Sequence, residues 1–69
     1  MMMKMTTSYL IRIPNESLAV TRIALEQLDG LIEYEYPGAI FTDFLVLLDI
    51  ESLDQLVSAI SGITILQGL

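Results

Sequence analysis

Leu31-Ile32-Glu33-Tyr34-Glu35-Tyr36-Pro37-Gly38 joins an alternating segment to a Pro-Gly pair at the middle of the chain. Apolar and acidic residues alternate with period two, the pattern of a strand with one buried face. By that alternation Ile32, Tyr34 and Tyr36 face one way, and Glu33 and Glu35 the other. Pro37-Gly38 then signals a turn, proline setting φ and glycine tolerating what other residues do not. The chain therefore reverses into a further strand, Ile40 to Ile50, most secure from Phe44 to Leu48. Phe44, Val46 and Leu48 share one face of it, and Leu45 and Leu47 the other. A strand apolar on both faces belongs in the middle of a sheet.

Working outward, the same unit stands on either side of the turn. Tyr9-Leu10-Ile11-Arg12-Ile13 is rich in β-formers and closes at Pro14. Asn15 or Ser17 is the expected cap of a helix running to about Asp29. Leu18, Val20, Thr21, Ala24, Leu25 and Leu28 form its apolar stripe, and Gly30 its terminator. After the third strand, Ser52-Leu53-Asp54-Gln55 reads as a capping box. Leu53, Leu56, Val57 and Ile60 follow at helical spacing up to Gly62. Ile63 to Gln67 is the fourth strand, and Gly68-Leu69 a frayed end.

The order is strand, helix, strand, strand, helix, strand. Its usual solution is an α+β, ferredoxin-like split βαβ sandwich: a four-stranded antiparallel sheet with two helices on one face. Residues 9–67 make this single domain, after a flexible tail over residues 1–8. Strands one and three are then central. Tyr9, Ile11, Ile13, Ile32, Tyr34, Phe44, Val46, Leu48 and Ile65 are expected under the helices. The open face receives Leu10, Arg12, Glu33, Glu35, Leu45, Leu47 and Leu66.

Composition narrows the function. There is no Cys and no His, so disulfides, thiolate metal sites, Cys nucleophiles and imidazole bases are excluded. Nine acids against three bases give a net charge of −6, the wrong sign for binding phosphates. No apolar run approaches the roughly 20 residues of a spanning helix, and the Met-rich start lacks a signal pattern. A cytoplasmic protein is the expectation. Glu33 and Glu35 on an exposed edge lack the desolvation that acid–base chemistry needs. Asp49, Glu51 and Asp54 suit the positive end of the second helix better than a cation. Neither a metal nor a cofactor is expected.

Three segments carry a resemblance. They are Tyr9-Leu10-Ile11-Arg12-Ile13-Pro14, Leu25-Glu26-Gln27-Leu28-Asp29-Gly30-Leu31 and Ile60-Ser61-Gly62-Ile63-Thr64-Ile65. With them the chain, from Tyr9 to Gln67, resembles a small ACT-like domain. It is also similar to short stand-alone bacterial domains of unknown function. The ACT resemblance implies a dimer that binds an amino acid or similar small molecule at the turn after strand one. Here that turn holds Asn15, Glu16 and Ser17, which are its candidate ligand-binding residues. The family's Gly at this turn is missing, and Glu16 opposes a ligand carboxylate.

The residues themselves favour a non-enzymatic oligomerisation or protein-interaction module. Its expected contact surface is the open face, with Leu10, Arg12, Leu45, Leu47 and Leu66. The expected partner is a second copy of the chain, giving a homodimer, or another protein. Nucleic acid and membrane are not expected partners. The alternatives are the ACT-like small-ligand sensor and an enzyme using Asp, Glu or Tyr groups.

Overall fold

A computed structural model describes residues 5–68. Strand β1 spans Thr6–Pro14 and runs into a single 3₁₀ turn, Asn15–Ser17. Helix α1 is Leu18–Gln27, β2 Leu31–Pro37, β3 Phe41–Asp49, α2 Ile50–Ala59 and β4 Thr64–Gly68. The strands form one antiparallel sheet in the order β2-β3-β1-β4, so β1 and β3 are central. Thr6, Thr7 and Ser8, expected in the tail, pair with Asp49, Leu48 and Leu47. Gly68, expected to fray, sits opposite Tyr9. Leu69 and residues 1–4 lie outside the described residues.

One face of the sheet holds the core. Ile11 and Ile13 of β1 and Phe44, Val46 and Leu48 of β3 are buried together with Leu25 of α1, Leu53 and Leu56 of α2, and Ile60. Both helices therefore cover the same sheet face. Val20 and Val57, placed on the helix stripes by spacing, are exposed instead.

The helix ends differ from the expected caps. Neither Asn15 nor Ser17 caps α1 with its side chain. The N-cap of α2 is Asp49, whose Oδ1 accepts the Ser52 N–H at 2.7 Å. Ser52 is thus the third helical residue rather than the cap. At the exit of α1, Gly30 N–H reaches the Leu25 carbonyl (2.8 Å) and Asp29 N–H that of Glu26 (3.2 Å). This double closure is a Schellman motif whose left-handed position is Asp29, at φ 56°, and not Gly30.

The largest departure lies in β2. Ile32 pairs with Val46, but Tyr34 pairs with Leu45, so Glu33 is an extra residue. Such a bulge shifts the alternation by one and moves every later side chain to the other face. Tyr34 and Tyr36 consequently stand on the open face, and Glu35 turns toward α1. There the Glu35 carboxylate accepts from Arg22 Nη2 at 2.6 Å. The expectations that put Tyr34 under the helices and Glu35 on the open face are both corrected. A second bulge, at Leu66, lies between the pairs Leu10–Gln67 and Ile11–Ile65.

Candidate functional site

The open face is built from alternate positions of the four strands. Leu10, Leu45 and Leu47 stand near its centre and are half-buried by their neighbours. Leu31, Tyr34, Tyr36, Phe41 and Leu66 surround them and are exposed, Tyr34 at 55% and Tyr36 at 57%. The two tyrosine rings stack, centroids 4.5 Å apart and planes 24° from parallel. They stand two residues apart on β2, on the same side of the sheet.

Arg12 and Asp43 face each other across β1 and β3. Arg12 donates from Nε (2.7 Å) and Nη2 (2.9 Å) to the two carboxylate oxygens, a bidentate pair. Its guanidinium carbon also lies 5.9 Å from the centroid of the Phe41 ring. The hydrogen bond to Arg12 lowers the Asp43 pKa below its ordinary value, partial desolvation opposing it. The same bond raises that of Arg12. At the turn end of this face, Arg12, Tyr36, Gly38, Ile40, Phe41 and Asp43 line a shallow hollow of about 470 Å³. Gly38 is required there, since a Cβ would come 2.5 Å from the Phe41 carbonyl oxygen.

Charge is distributed unevenly between the two sides. Glu26, Glu51 and Asp54 belong to the helices, Glu16 to the 3₁₀ turn and Asp29 to the exit of α1. Glu35 is drawn to Arg22, and Asp49 caps α2. On the open face there remain Asp43, matched by Arg12, Glu33, which accepts from the Ser8 hydroxyl at 3.3 Å, and Asp49 at the end of the β3 row, opposite Thr6. The centre of the side opposite the helices is therefore apolar in a chain of net charge −6.

Sequence reasoning placed Leu10, Arg12, Leu45 and Leu47 on one face, and the structure brings them together. Leu66 is bulged at the edge beside them. Tyr34, Tyr36 and Phe41 were not among the expected surface residues, and they are its most exposed part. The candidate ligand turn does something else. Asn15 Oδ1 accepts from the buried Thr42 hydroxyl at 2.6 Å, and Asn15 Nδ2 donates to the Gly38 carbonyl at 2.8 Å. With Asn15 N–H on the Ile40 carbonyl (2.9 Å), this residue clamps the β2–β3 turn to the end of β1. Glu16 is exposed, and the Ser17 carbonyl accepts from Thr21. Among the described residues no three carboxylates gather as a cation would require, and no helix is long and apolar enough to cross a membrane.

No family model, curated protein or solved structure matches the chain.

Proposed function

We propose that this chain is a ferredoxin-like, non-enzymatic oligomerisation module whose open sheet face is covered by a second copy of itself. The observation that carries the reading is the separation of charge from apolar surface. Leucines and aromatics crowd the side that no helix covers, while six of the nine acids stand elsewhere. Two copies meeting face to face bury the apolar patch and keep most of their like charges apart. The largest exposed apolar patch of a typical monomer is about 300–600 Å² and is often functional. At four strands ~4.8 Å apart and seven residues of ~3.3 Å rise, this face projects roughly 440 Å². Two such faces bury about 880 Å² in total, the size of a weak, concentration-dependent interface. The chain's size favours the same reading, since domains below roughly 70–80 residues gain much from association.

Arg12 and Asp43 fit this role as a pair that sets orientation. Neutralised by each other, they tolerate burial better than either charge alone. A four-stranded antiparallel sheet with both helices on one face is compatible with a ferredoxin-like fold, which supports that name. The ACT-like sensor at Asn15, Glu16 and Ser17 has less behind it, because both polar ends of the Asn15 side chain are already engaged.

Light scattering on a size-exclusion column tests the proposal. Wild type at hundreds of micromolar is expected to run as more than one copy, and Leu45→Lys/Leu47→Glu to run as fewer copies than wild type with its circular dichroism intact. A wild type that stays monomeric throughout defeats the reading.

A further inference from the structure

The two sheet edges are built differently, and the difference points to a second contact. Strand β2 carries the devices that discourage edge pairing: a bulge at Glu33, two acids and a terminal Pro37. Its Glu35 is also tied to Arg22 of α1. Strand β4, Thr64-Ile65-Leu66-Gln67-Gly68, has one bulge and no charge, and no proline. The whole stretch from Gln55 to Leu69 lacks a charged residue. Every residue of β4 is exposed, Ile65 at 45% and Leu66 at 41%. Among the described residues, β4 pairs on one side only, with β1.

We infer that the free edge of β4 pairs antiparallel with β4 of a second copy, continuing the sheet across a two-fold axis. An antiparallel edge contact is self-complementary, because the same strand supplies both partners. The occupant follows from charge. In a chain of net charge −6, β4 is a stretch where two copies approach without setting carboxylate against carboxylate. A cationic peptide would find no carboxylate on this strand to hold it. This contact uses the sheet edge and is separate from the open-face contact. Together the two give each subunit two isologous interfaces, and thus an assembly larger than a dimer.

Four proteins are compared by light scattering: wild type, Ile65→Lys, Leu45→Lys/Leu47→Glu, and all three changes combined. Ile65 pairs with Ile11 on the helix side of the edge, so Ile65→Lys places an edge-blocking charge without touching the open face. The expected masses are four or more copies for wild type, two for Ile65→Lys, two for the leucine variant and one for the combination. If Ile65→Lys keeps the wild-type mass, edge pairing is overturned and the open-face reading stands. If the leucine variant keeps it while Ile65→Lys loses it, the open-face reading falls and the edge stands. Amide exchange on wild type covers the case in which Ile65→Lys fails to fold. Protection of residues 64–68 is expected to rise about tenfold from low to high micromolar concentration. Protection that does not change with concentration, while the rest of the chain is folded, overturns the inference.

Discussion

Asn15→Ala probes the clamp that holds the β2–β3 turn against β1. The substitution removes two side-chain hydrogen bonds, to Thr42 and to Gly38. Each contributes about 1 kcal/mol net. It also strands the hydroxyl of Thr42, a residue only 1% exposed, whose acceptor among the described residues is Asn15 Oδ1. An orphaned buried hydroxyl costs about 1–3 kcal/mol, so a total near 3 kcal/mol is expected. Thr42→Val deletes the donor and keeps the shape, leaving only the half-buried Asn15 oxygen to find water; about 1 kcal/mol is expected. In the double variant no hydroxyl is stranded, so its cost should fall short of the sum by about 1–2 kcal/mol. Urea unfolding followed by circular dichroism, with m unchanged across the four proteins, measures the cycle. A loss under 0.5 kcal/mol for Asn15→Ala, or strict additivity, would refute the clamp and free Asn15 for a ligand.

Asp29→Gly, at the left-handed position of the α1 exit, is expected to stabilise the fold by about 0.5–1 kcal/mol; a loss of stability would contradict that account of the helix end. Gly38→Ala should cost about 2 kcal/mol or more, read by the same unfolding assay, because a Cβ there meets backbone rather than a mobile side chain. Arg12→Ala should return the Asp43 pKa upward to its ordinary range near 3.8, followed by carboxyl-carbon NMR. Because the folded pKa of Asp43 lies below the unfolded one, its contribution is present above about pH 4 and is lost as pH falls through the folded value. Arg12→Ala should therefore flatten the stability curve on that acid limb, and an unchanged curve would show the pair to be idle. Amides of residues 44–48 should be among the slowest to exchange, since β3 is paired on both sides.

What the sequence made legible follows from which signals are local. The two-sided apolar run Phe44 to Leu48 and the Pro37-Gly38 turn were enough to place β3 centrally and reverse the chain. Period-two reading failed at Glu33, because a bulge is one unpaired residue and leaves the composition of the strand unchanged. That single residue sent Tyr34 and Tyr36 to the open face, where they dominate the candidate surface. One sequence feature fitted the true arrangement: Glu35 needs a partner on the helix side, and Arg22 is the base of α1. Caps were misplaced for a related reason. Asp49, Ser52, Asn15 and Ser17 are all competent cap residues, and tertiary partners decide among them. Thr42 captured Asn15, which removed it both from capping and from the expected ligand turn.

A second copy covering the open face brings the two sets of tyrosines and leucines together. An isotope-filtered NOE experiment detects this on an equal mixture of labelled and unlabelled chain at high concentration. Intermolecular contacts are expected from the Tyr34 and Tyr36 rings to the methyls of Leu10, Leu45 and Leu47. Contacts from the exposed side of α1, at Val20 or Ile23, with none from the tyrosines, would contradict it.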